Sequence, residues 1–167
     1  MEISPEAQRR AMGHFATGVA VLTVPSSVGE PRGITVNSLT SLSLDPPLIL
    51  VAIDRRSPLH RALAEAGHFA LGILRHDQEA ISRHFASQPG GLLRPGDLEA
   101  GPHGLPLVAE ALATLICRRV QSFPGGDHTI FVGQIEEART APEEADPLLY
   151  FRGRYLALPA SAPCPHP

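Results

Sequence analysis

Apolar and polar positions along this chain change over in short blocks, and the blocks have two different periods. Ala7, Ala11, Met12 and Phe15 fall on one face of a predicted helix. Ser4-Pro5-Glu6 opens it with a capping hydroxyl, Pro at the first helical position and an acid in the first turn. Gly13 and Gly18 weaken and end it. Residues 19–24, Val-Ala-Val-Leu-Thr-Val, are a β-rich run stopped by Pro25. Gly29-Glu30-Pro31 carries turn chemistry and Arg32 to Ser38 is the next strand, so 19–38 is predicted as a hairpin. After Asp45-Pro46-Pro47, residues 48–53 are apolar throughout, which predicts a strand buried on both faces.

Ser57-Pro58 opens a second helix by the same cap-plus-Pro logic, ending at Ala66-Gly67. Phe69 to Leu74 is a strand, and Asp77 to Ala86 is helical with Ile81 and Phe85 spaced i, i+4. Residues 87–106 are rich in Gly and Pro and predict a long surface loop. Leu112 to Val120 and Thr129 to Ile135 are strands joined by a turn-rich connection over 122–128, and 148–158 gives a short pair around Gly153. Seven or eight strands, arranged in hairpins with three short helices, favour a mainly β fold. A closed or nearly closed antiparallel barrel follows, not a doubly wound sheet. One domain over 1–158 is expected, with a Pro-rich, disordered tail over 159–167.

The chain has 167 residues and a formal net charge of -3, with no block of like charges. A basic stripe for nucleic acid is therefore absent, and no nucleic-acid partner is expected. No apolar run approaches the roughly 20 residues that span a bilayer, so no membrane partner is expected either. The start, Met-Glu-Ile-Ser-Pro-Glu, does not have the pattern of a secretory signal. Cys117 lies in an apolar run and Cys164 in the tail, so a disulfide is not expected and a reduced, cytoplasmic compartment is.

No Gly-x-Gly-x-x-Gly between strand and helix, no Walker loop and no Gly-x-Ser-x-Gly elbow is present. The eight histidines sit mostly on different predicted elements, without a Cys pair or a His-Glu-x-x-His motif, and no metal site is expected. The polar signal lies elsewhere. Thr35, Asn37, Ser38, Thr40, Ser41 and Ser43 crowd into a β-rich run, denser in hydroxyl and amide groups than a packed strand needs. They are the outer face of a half-exposed strand, or contacts to a polar, planar, phosphate-bearing ligand. Ser57 caps a helix beside Arg55 and Arg56, a combination suited to phosphate. Gly126-Asp127-His128 is a plain type I′ or II′ hairpin turn, or it places a side chain of tunable charge at the mouth of a site.

These residues, in order, resemble a known family. The matching pieces are Arg10-Ala-Met-Gly-His-Phe-Ala-Thr-Gly-Val19, Gly33 to Leu48 with Ser43-Leu-Asp-Pro-Pro-Leu48, Asp77-Gln78 to Phe85, and Gly104-Leu-Pro-Leu107. Gly126-Asp-His-Thr-Ile-Phe-Val-Gly133 follows, then Pro147-Leu148 and Tyr150-Phe-Arg-Gly-Arg-Tyr155. Over about residues 8–157 the chain resembles the short-chain NAD(P)H:flavin oxidoreductases, the flavin reductase-like group that forms the reductase component of two-component monooxygenases. Residues 88–103, with Gly90-Gly91, Pro95 and Pro102, depart from the family pattern.

The resemblance implies an FMN-binding split β-barrel of Greek-key topology that forms a homodimer with flavin near the interface. It implies reduction of FMN or FAD by NADH or NADPH and delivery of reduced flavin to a separate monooxygenase. The strand over 33–43, Val36 included, and the 52–58 turn, with Ala52, Asp54 and Arg55, would line the flavin. Thr35, Asn37 and Ser38 would contact its ring and ribityl chain, and Ser57 and Ser43 its phosphate side. Arg83 and Phe85 are further contacts, Phe151 or Tyr155 would cover a ring, and His128 would donate a hydrogen bond to the nicotinamide cofactor. A flavin- or haem-binding protein without turnover is the alternative on the same barrel. An oxidase of the pyridoxamine phosphate type is a third, for which the basic phosphate ligands are not evident.

Overall fold

The structure is a computed structural model that describes residues 3–25, 31–86, 94–141 and 145–158. The 159–167 tail, residues 87–93 of the expected loop and Gly29-Glu30 of the expected turn lie outside them. Helix α1, Pro5–Met12, starts as the sequence predicts: Ser4 accepts a hydrogen bond from the Ala7 N–H at 3.2 Å. Strands β1 (Thr17–Gly18), β2 (Ala20–Val24), β3 (Arg32–Val36), β4 (Thr40–Leu44) and β5 (Pro47–Asp54) follow, then α2, Pro58–Glu65. Next come β6 (His68–Ile73), a 3-10 turn at His76–Gln78, and α3, Glu79–Ala86. The remainder is β7 (Leu98–Ala100), a 3-10 turn at Pro102–Gly104, β8 (Pro106–Val108), β9 (Ala113–Gly125), β10 (His128–Thr140), β11 (Leu149–Phe151) and β12 (Arg154–Leu156).

Seven strands form one antiparallel sheet in the order β3-β2-β6-β9-β10-β5-β4. Its two edges, β3 and β4, are consecutive in sequence, with only residues 37–39 between them. Laid flat, six spacings of about 4.8 Å would part these edges by roughly 29 Å. Four residue steps reach at most about 14 Å. The sheet must therefore curl until its edges nearly meet, yet β3 and β4 do not pair. This is a split barrel, open along one seam, and the seam is crossed by Asn37, Ser38 and Leu39.

The barrel interior holds Ala20, Leu22 and Val24 of β2 with Ile49, Val51 and Ile53 of β5 and Phe69, Leu71 and Phe131. Leu59 and Leu63 of α2 join this cluster, so the second helix packs into the barrel. Val19 and Val21 point the other way, under Ile81 and Phe85 of α3. All of β2 is thus buried, half of it on each side. Phe69 is completely buried and needs a glycine opposite: a Cβ at Gly133 would lie 2.5 Å from its ring.

Four expectations change. The hydroxyl-rich run is two strands, because the chain turns from one sheet edge to the other at 37–39. Strand β5 is buried on one face only; Leu48, Leu50 and Ala52 are half-exposed, because nothing among the described residues covers that side. Part of the expected 87–106 loop is the β7–β8 hairpin, packed by Leu105 and Leu107. The apolar face of α1 finds no partner among the described residues, and Met12 and Phe15 remain 60% and 68% exposed.

Candidate functional site

The predicted site residues gather in two places joined by the seam. The first is the corner where β5 ends, α2 begins and the β9–β10 hairpin turns back. His128 pairs with Asp54 across the sheet, which sets the hairpin tip beside the start of α2. The tip is a two-residue turn, Gly126-Asp127, in which Gly126 takes φ +68 and Asp127 stays at negative φ, so it is of type II′. Pro124 is tolerated in β9 because that part of the strand lies beyond its pairing with β6 and presents a free edge.

Arg55 locks the corner: its backbone N–H donates to the Asp127 carbonyl at 3.0 Å and its guanidinium donates to the Gly126 carbonyl. Among the described residues Arg55 is thus held by carbonyls and not by a carboxylate. Arg56 is different, for it grips Asp54 through its backbone N–H at 2.8 Å and its guanidinium at 2.8 Å. That guanidinium holds the Asp54 carboxyl well below the usual carboxylate range. Ser57 caps α2, accepting from the Leu59 N–H at 3.2 Å, and keeps its hydroxyl proton to give. His60, one turn into α2, meets the Thr129 hydroxyl at 2.8 Å.

His128 Nδ1 lies 2.7 Å from the Asp127 carboxylate. A carboxylate only accepts, so Nδ1 carries the proton and Nε2 is left for a ligand. The contact lowers the pKa of Asp127, chiefly through the hydrogen bond from His128. In the neutral ring Nε2 accepts; in the imidazolium it donates.

The second place is the surface where α3 meets β12. Ser82, completely buried, is its hub: its carbonyl accepts from the Thr35 hydroxyl at 2.6 Å and its hydroxyl bonds the Tyr155 hydroxyl at 2.8 Å. Arg83 lies over the Tyr155 ring, 5.0 Å from its centre, and pairs with Glu79 at 2.6 Å. Glu79, Arg83, Tyr150, Arg154 and Tyr155 line a cleft of about 370 Å³. Phe151 stands apart, edge-on to His14 and under the Arg152 guanidinium.

Between the two lies the seam. Ser38 gives its proton to the Ala52 carbonyl at 2.9 Å and accepts from the Ala52 N–H at 3.2 Å. Asn37 is exposed and makes no side-chain hydrogen bond among the described residues. Val36 and Phe85 are core residues, and Phe85 packs against Gly33, where a Cβ would come within 2.9 Å of the ring. Ser43 is half-buried next to a bulge at Leu42. Sequence reasoning missed Ser82, because a lone Ser in a helix gives no signal until Thr35 and Tyr155 are seen to converge on it.

The chain is similar to known proteins over most of its length. The flavin reductase like domain matches residues 12–159. An NADH-dependent flavin reductase of Rhodococcus sp is 38% identical over 160 residues, covering 94% of this chain and 88% of that protein. The reductase component of a Thermus thermophilus 4-hydroxyphenylacetate 3-monooxygenase is 42% identical over 156 residues, covering 92% and 96%. Among solved structures, a Streptomyces globisporus NADH:FAD oxidoreductase in complex with NAD and FAD fragments superposes with a TM-score of 0.87 at 37% identity, covering 98% of this chain and 99% of that one. A split barrel with this strand order, matched along nearly its whole length, belongs to the flavin reductase-like family.

Proposed function

We propose that this chain is an NADH- or NADPH-dependent flavin reductase that reduces FMN or FAD and passes the reduced flavin to a separate monooxygenase. The observation that carries this is the pairing of His128 with Asp54, which joins the hairpin tip to the Ser57 corner beside the seam. The family match and the named activities of the relatives support it. Bound nicotinamide and flavin would supply the hydride donor and acceptor, so the hard chemistry would be theirs and the residues here would hold and align them.

The residues fit a phosphate-bearing flavin. Arg55 carries a charge that no carboxylate among the described residues pairs with, and Ser57 keeps a proton to donate. Asn37 offers both donor and acceptor at the seam. In this reading Arg55 and Ser57 hold the phosphate side, with Ser43 on the neighbouring edge strand. Asn37, Val36, Thr35 and Ser38 border the ring and ribityl chain, Thr35 and Ser38 mainly by fixing the backbone that does so. His128 orients the nicotinamide cofactor through Nε2, and Asp127 fixes its tautomer. Arg83 and Tyr155 form the outer wall, Phe85 supports it from below, and Phe151, which stands apart against His14, is left out of it. Alignment of two rings is the main catalytic contribution asked of the protein.

A homodimer belongs to the same proposal. Exposed Met12, Phe15 and Leu44, and the half-exposed face of β5, are apolar surface that a second copy would cover. Residues 1–158 act as one domain, working in the cytoplasm; no helix among the described residues is long and apolar enough to cross a membrane.

The test is direct. Protein is mixed with NADH or NADPH and a large excess of free FMN or FAD, and nicotinamide absorbance is followed. Many turnovers per chain are expected. A single stoichiometric reduction, or none, would favour the binding protein without turnover and overturn the proposal.

A further inference from the structure

Along β10 from the His128 corner, three metal-ligating side chains from distant parts of the sequence converge. The ligand atoms of His68, His103 and Glu136 all lie within 4.8 Å of one another. His68 opens β6, His103 sits in the turn Pro102–Gly104, and Glu136 is on β10. Eight residue steps separate Glu136 from His128, roughly 25 Å along the strand. This cluster is therefore remote from the corner described above.

Its construction is specific. Ile135 and Glu137 pair with the adjacent residues Cys117 and Ile116, so Glu136 is the extra residue of a β-bulge. Bulges re-aim side chains, and this one brings the Glu136 carboxylate to 3.2 Å from His68 Nε2. Arg118 holds the other carboxylate oxygen at 3.0 Å, leaving Oε2 toward the histidines. His103 takes φ 58, a left-handed conformation unusual outside glycine, and its ring lies over the His68 ring at 3.8 Å.

We propose that His68, His103 and Glu136 bind a divalent transition-metal ion of the zinc class, with water in the remaining position. Two imidazoles and one carboxylate are a donor set that such ions favour. Tetrahedral bonds of about 2.0–2.1 Å place neighbouring ligand atoms about 3.4 Å apart, and His68 and Glu136 already stand near that spacing. His103 is exposed, so its ring is free to turn from the stack toward the ion. Arg118 orients the carboxylate, as outer partners do in metal sites. The bound ion would tie the turn between β7 and β8 to the main sheet.

The full chain is titrated with Co²⁺, read by its ligand-field absorption, and with Zn²⁺ in competition against a chromogenic chelator. One ion per chain is expected. His103→Asn, which keeps a residue tolerant of positive φ, and Glu136→Gln should each weaken binding by about 10-fold or more. Zn²⁺ should raise the melting temperature of the unsubstituted chain and not that of His103→Asn. Flavin reduction should be equal in His103→Asn and the parent, so this result stands apart from the proposed activity. Absence of binding, binding unchanged in both variants, or binding abolished only by Cys164→Ser with His166→Ala would each overturn the site.

Discussion

Ser38→Ala removes one oxygen and leaves two backbone groups without a partner. In the folded chain the Ser38 hydroxyl donates to the Ala52 carbonyl at 2.9 Å and accepts from the Ala52 N–H at 3.2 Å. Both Ala52 groups therefore point toward the β4 edge, two residues beyond the Thr40–Leu50 pairing. Ser38 stands in for a strand neighbour at the place where the chain crosses the seam. An unmade hydrogen bond at a buried backbone group costs about 1–3 kcal/mol. Ala52 is half-exposed, so water recovers part of that for each group, and the pair together should cost about 1–3 kcal/mol. For a chain of this size that is a drop of roughly 2–12 °C in Tm. Urea unfolding of the flavin-free protein should show a lower midpoint at unchanged slope. A change below about 0.3 kcal/mol would refute the reasoning. Loss of flavin affinity with unaltered stability would do the same, because it would assign the hydroxyl to the ligand alone.

Four further outcomes follow from the same structure. Ser57→Ala should weaken FMN more than riboflavin in a fluorescence titration, since only FMN carries the phosphate; equal losses would remove Ser57 from the phosphate side. His128→Ala should raise KM for the nicotinamide cofactor in steady-state kinetics, and unchanged KM and kcat would end its role. Gly133→Ala should destabilise by about 1–3 kcal/mol in the same urea assay, because the added methyl meets the buried Phe69 ring at 2.5 Å. Burial pushes the Cys117 thiol from 9.0 up to about 12. Unfolding lets this thiol ionise, so its contribution to stability is full below about pH 9 and is lost as pH rises toward 12. In a Cys164→Ser background, Cys117→Ala should flatten that slope, and the native chain should resist maleimide labelling until unfolded.

Much of the fold was legible because local rules and tertiary packing agree. Ser4-Pro5 and Ser57-Pro58 start helices where cap chemistry says they should. Gly126-Asp127 turns a hairpin, and Ile81 with Phe85 marks the buried face of α3. What escaped depends on contacts made far along the chain. Nothing local in Gly33 to Leu44 announces a crossing between sheet edges; that follows from which strands lie between β3 and β4. The apolar run 48–53 gives no hint that only one of its faces is covered. Histidines 35 residues apart carry no spacing signal, so the His68 and His103 pairing became visible only through the fold.

For the candidate residues, the sequence showed side-chain types and not the partners that the fold gives them. Thr35 and Ser38 drew attention as hydroxyls, yet both protons go to backbone carbonyls, of Ser82 and Ala52. A split barrel explains this expense. An ordinary barrel closes its seam with a ladder of backbone hydrogen bonds, whereas here β3 and β4 leave theirs unmade. Side-chain hydroxyls on either side of the seam take over part of that work. The opening is thereby fixed in shape without being filled. Asn37, Ser57, Arg55 and His128 Nε2 still have hydrogen-bonding capacity around it. So small a set suits the proposed reaction: a hydride moving between two bound rings needs them aligned, and asks little else of the side chains.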